Sequence, residues 1–136
     1  MIQEVMLHQF EKHYTRDEAR ALLPQIRGWL KRLSELREGL EEQETEMSKN
    51  LLPGQDLGGT AVNAWVRTLV EMQCLLFEFY TREIQIKDID RGLLDFPALR
   101  DGREVFLCWE QAEQDIEFWH DLEAGYAGRE RLDEPE

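Results

Sequence analysis

With 136 residues, 42% of them hydrophobic, the chain is long enough for one domain with a sizeable core and too short for two. Its 29 acidic and 16 basic residues leave a formal charge of -13 at pH 7, with the acid excess concentrated downstream of Ile84. Such a field repels phosphate backbones and anionic lipid, so neither nucleic acid nor a membrane surface is an expected partner.

Residues 1–14 carry Phe10, Lys12 and Tyr14 in a period of two, the pattern of a short strand or an extended arm lying on the core. The stretch lacks the basic and unbroken apolar runs of a leader, so an unexported protein is expected. Thr15 and Glu18 have the spacing of a capping box, so a helix is expected over 16–48, bent at Pro24. Along it Leu22, Ile26, Trp29, Leu33, Leu36, Leu40, Gln43 and Met47 step by fours and threes, a heptad seam with one polar member. Glutamates crowd its C-terminal end, against the helix dipole. Asn50 to Gly59, with one proline and three glycines, is the connection to a second helix over 61–82. That second helix is apolar around much of its circumference. It is expected to lie between the first helix and a sheet, or against a second copy of itself. By length it cannot cover the whole first seam, and the overhang is an expected association surface: Leu33, Leu36, Leu40 and Met47, with Val62 and Leu69 opposite.

From Ile84 the period changes to two, giving two short strands, one through Ile84, Ile86 and Asp88 and one through Leu94 and Phe96, the second interrupted at Pro97. Asp101-Gly102 fits a tight reversal into a strand over 103–109. Residues 110–123 fit either a further strand near 115–120 or a helix through Ala112, Ile116 and Trp119. A small β unit is thus expected over 84–120, followed by a polar tail over 129–136. The fold class is α+β, a long antiparallel helical hairpin packed on a small C-terminal antiparallel sheet, in one domain.

Three stretches, YTRDEARALLP, KDIDRGLLDFPALRDGREVFLCW and FWHDLEAGYAGR, make residues 14–132 resemble a prokaryotic family, domain of unknown function 2203 (DUF2203). The resemblance implies a helical hairpin followed by a compact β-rich tail, and favours a strand for 115–120. Where that pattern places a Gly-Glu-Pro-like turn, this chain has Gln111-Ala112-Glu113-Gln114, so a looser reversal is expected there. The resemblance implies no activity, substrate or cofactor.

Two functional expectations from different classes follow. The first is a non-enzymatic, cytoplasmic interaction module that forms a homodimer and presents its acidic tail to a protein partner, with no cofactor. Two isolated cysteines, Cys74 and Cys108, suit buried thiols in a reducing compartment. The second is a small metal-binding protein or hydrolase built from Asp88, Asp95, Cys108, His120 and Glu123, because thiolate, imidazole and carboxylate together hold a divalent ion or share acid-base work. None of the usual metal or nucleophile spacings links Cys108 to His120, and the bland alternative is a buried thiol beside a packed ring. Arg100, Arg103 and Arg129 could receive an anion, but acids nearby favour ion pairs. Trp65, Trp109, Trp119, Phe106, Phe118 and Tyr126 could line a pocket for a planar ligand, but such spacings more often mean core.

Overall fold

The structure is a computed structural model and describes residues 8–49 and 59–132. The capping box forms as its spacing requires: the Thr15 N–H donates to Glu18 Oε1 at 2.9 Å, and the Glu18 N–H donates to Thr15 Oγ1 at 3.1 Å. From that cap α1 runs over Arg16–Lys49 and continues through Pro24, which lies on the exposed side. Helix α2 spans Gly59–Tyr80, slightly earlier than the hydrophobic pattern places it. It is closed by a turn in which the Ile84 N–H reaches back to the Phe79 carbonyl and Glu83 takes φ 60. The connection over 50–58 lies outside the described residues.

The two helices pair antiparallel from the connection outward. Trp65 Nε1 donates to Glu44 at 3.1 Å, Arg32 reaches Glu71 at 2.7 and 3.0 Å, and the rings of Trp29 and Phe79 meet edge to face at 5.3 Å. Because α1 has 34 residues and α2 has 22, the surplus falls at the N-terminal end of α1. There Ala19, Leu23, Ile26 and Leu30 enter one buried cluster with the sheet. The overhang at this end is therefore covered by the sheet. Leu33 and Leu36 are buried inside the single chain, and Leu40, Met47, Val62 and Leu69 are half-buried. The buried stripe also uses Leu23 and Leu30 where the heptad places Leu22 and Trp29, since this part of α1 packs on two neighbours at once.

Five strands follow in a simple antiparallel meander: β1 Gln85–Asp88, β2 Leu93–Arg100, β3 Arg103–Trp109, β4 Phe118–Asp121 and β5 Glu130–Arg131. The α+β architecture is the expected one, and β4 settles the ambiguity over 110–123 in favour of a strand. Asp101 at φ 52 and Gly102 at φ 80 make the two-residue reversal between β2 and β3, whose last pair is Arg100 opposite Arg103. Two expectations fail. Strand β2 runs through Pro97 without interruption: its carbonyl accepts the Tyr14 N–H at 2.7 Å, so the proline faces away from β3 and no ladder donor is lost. The tail expected from residue 129 begins as β5, and Leu132 is buried, its N–H donating to the Glu117 carbonyl at 2.8 Å.

Alternation along the strands sorts the sheet into two faces. The inner face carries Leu94, Phe96, Ala98, Val105, Leu107, Trp109 and Trp119, which join α1 in the core. The outer face carries Asp95, Pro97, Glu104, Phe106, Cys108, Phe118 and His120. Helix α2 does not lie between α1 and the sheet, which corrects that placement. Only Phe79 of α2 is buried, and it is α1 that forms the layer on the sheet.

Candidate functional site

Register places the outer-face polar residues. Asp95 on β2 sits opposite Cys108 on β3, and His120 on β4 sits opposite Phe106, so His120 is the diagonal neighbour of Cys108. All three are buried to 2% exposure or less. One ligating atom from each lies within 4.8 Å of the other two. His120 Nδ1 is 2.7 Å from the Asp121 carbonyl, which can only accept, so that nitrogen carries a proton. Nε2 then points at Asp95 Oδ1, 3.0 Å away. Burial and the neighbouring Asp95 carboxylate push the Cys108 thiol up to about 12, against the lowering influence of Arg129. At neutral pH Cys108 is a thiol, the wrong state for a nucleophile.

The other two proposed ligands do not join the cluster. Asp88 caps the turn after β1, accepting the N–H groups of Asp90 at 3.0 Å and Arg91 at 3.2 Å, and Glu123 is exposed. The arginines serve packing and ion pairs. Arg129 stacks over Phe118 at 3.9 Å and Tyr126 at 4.2 Å and meets Glu113 at 2.8 Å, Arg100 lies over Trp119, and Arg103 pairs with Asp121. Trp109, Trp119 and Phe106 are buried, Trp65 and Phe118 are half-buried and Tyr126 is exposed, so the six aromatics do not surround one space. The reversal over 111–114 is pinned, not loose: Arg27 donates to the carbonyls of Gln111 and Glu113 at 2.8 and 2.7 Å, and Trp109 Nε1 also reaches Glu113 O.

A second group, His8, His13 and Glu104, has no counterpart among the residues singled out by pattern. Glu104 accepts the N–H groups of Gln9 at 2.8 Å and Phe10 at 3.0 Å, and His13 Nε2 at 2.8 Å. Burial alone would raise the Glu104 carboxyl, but these hydrogen bonds and the His13 charge outweigh it and hold the group below the usual carboxylate range. Glu83 does the same for Glu11 and Lys12, accepting their N–H groups at 2.9 and 2.7 Å. The arm is thus clamped by two carboxylates, and the sequence separation of more than 70 residues left no local signal.

Among the described residues, most of the exposed large hydrophobic side chains lie on α2. Val70 is 55% exposed, Phe77 60% and Tyr80 76%, with Val66 and Leu76 beside them. Val66, Val70, Gln73, Phe77 and Tyr80 step by four, three, four and three, a heptad seam on the side away from α1. Phe77 and Tyr80 stack at 6.1 Å. Next to them a groove of about 730 Å³ is lined in part by Phe10, Leu76, Phe79, Tyr80, Ile84 and Ile86. No helix among the described residues is long and apolar enough to cross a membrane.

A family model described as uncharacterized conserved protein (DUF2203) matches residues 12–132. No curated protein and no solved structure matches the chain.

Proposed function

The chain belongs to the uncharacterized conserved protein family DUF2203, and on that premise, with no activity inherited, we propose that it is a non-enzymatic self-association module. Two copies pair through the outer flank of α2. The observation that carries this is the uncharged seam Val66, Val70, Gln73, Phe77 and Tyr80, left exposed among the described residues. A contiguous row of exposed large apolar side chains is the usual mark of an interaction surface.

A second copy is the occupant that fits. In a chain of net charge -13, association of like molecules needs a contact bare of carboxylate, and the seam has none. The nearby acids are engaged elsewhere, Glu71 with Arg32 and Glu78 with Arg82. A heptad stripe also complements itself, and a two-fold axis lets the projecting Phe77 and Tyr80 rings of each copy seat beside the groove of the other. The free thiols Cys74 and Cys108 suit a reducing, cytoplasmic setting for this pair.

The test is sedimentation velocity of the wild-type protein beside Val70→Glu and Phe77→Glu, with far-UV circular dichroism on each. Each variant is expected to sediment as a folded monomer under conditions where wild type is dimeric. Variants that remain dimeric would overturn the assignment of the seam.

A further inference from the structure

We propose that Asp95, Cys108 and His120 form a binding site for one thiophilic divalent transition-metal ion of the zinc class. This is independent of self-association, since the triad lies on the outer face of the sheet and the seam on α2.

The imidazole is already oriented as a metal ligand. Its Nδ1–H is committed to the Asp121 carbonyl at 2.7 Å, so the Nε2 lone pair is the one that faces Asp95 Oδ1 at 3.0 Å. Backbone carbonyls holding the second ring nitrogen are the usual support of a metal-bound histidine. An imine lone pair and a carboxylate oxygen both offer acceptor electrons, so the pair is arranged to hold a cation between them. Cys108 completes the set on the same face, with one donor atom from each residue inside 4.8 Å. Tetrahedral zinc, with bonds of about 2.0–2.3 Å, sets its donors about 3.5 Å apart, so closing the site needs only small side-chain shifts.

Charge and ligand type select the ion. A thiolate and a carboxylate carry two negative charges, which neutralise a divalent cation; Arg129, which also faces Cys108, is balanced by Glu113 at 2.8 Å, so the site, buried to 2% or less, keeps no net charge. Sulfur, imidazole nitrogen and one carboxylate suit zinc or cobalt, whereas magnesium and calcium require more oxygens than are present. Three protein donors leave a fourth position for water or a small ligand. Binding displaces the proton of the Cys108 thiol, so uptake is proton-coupled. The other cluster, at Glu104, is a weaker candidate because an ion there would have to displace the N–H groups that hold the arm.

The test uses the full-length protein, chelator-treated and reduced, titrated with Co2+ and then with Zn2+. A thiolate-to-cobalt charge-transfer absorption saturating at one equivalent is expected, abolished when Zn2+ displaces the cobalt. With only two cysteines in the chain, Cys74→Ser assigns the thiolate without touching the site: the band must persist there. It must also persist in His13→Ala and weaken at least tenfold in apparent affinity in His120→Ala. No band at one equivalent, a band lost in Cys74→Ser or His13→Ala, or unchanged affinity in His120→Ala would each overturn the site.

Discussion

Helix α1 is rich in charge and contributes six buried residues, whereas the more apolar α2 contributes one, Phe79. The contrast shows that what a helix buries depends on its neighbours, not on how much apolar surface it offers. The N-terminal part of α1 is tied to the loop before β4 at two points: Arg20 bonds Asp115 at 2.7 and 3.1 Å, and Arg27 bonds the Gln111 carbonyl. Those ties fix its apolar stripe on the sheet. Helix α2 meets α1 along one side and touches the sheet near its end, so its other side keeps a seam that is exposed among the described residues.

If that division is correct, substitutions on the two sides should differ sharply. Leu33→Ala, at a fully buried position, should cost about 3 kcal/mol in denaturant unfolding, from lost transfer energy and the cavity left behind. Glu104→Gln tests the clamp that holds the arm on the sheet. It should cost about 2 kcal/mol, because charge-assisted acceptors are replaced by an amide that cannot serve all three donors. The pH dependence has a definite sign. The folded-state carboxyl of Glu104 is depressed, so its stabilisation is present above the ordinary carboxylate range and disappears as pH falls through the folded value. Wild type should lose this increment in acid, and Glu104→Gln should show a flatter profile of melting temperature against pH.

Smaller effects sharpen the same contrast. Gly102→Ala has open space around its new methyl group but must hold φ 80, so strain alone should cost about 1 kcal/mol in the same unfolding measurement. Phe77→Ala, measured in dilute protein, should change monomer stability by less than about 0.5 kcal/mol. Thiol alkylation followed by mass spectrometry separates the regions without mutation. Exposed Cys74 on α2 should react in the native protein, and more slowly as concentration rises; buried Cys108 should react only on unfolding.

Much of the fold was legible because its signals are local. The Thr15–Glu18 cap, the Asp101–Gly102 reversal and the strand period after Ile84 each lie within a few residues. Pro97 was misjudged because its effect depends on which edge of β2 it faces, and that is decided by Tyr14 far away. The flank of α2 was hidden because apolar periodicity does not say which side a neighbour covers. Asp95, Cys108 and His120 could be nominated, but only strand register separates them from Asp88 and Glu123. The clamp at His13 and Glu104 joins residues 91 apart and left no local trace.

The bare seam on α2 is the centre of the account, and molar mass in solution tests it most directly. Light scattering across a concentration series is predicted to rise from the 16.1 kDa of one chain to twice that value and then level off. A mass that stays at one chain up to the highest concentration would contradict it.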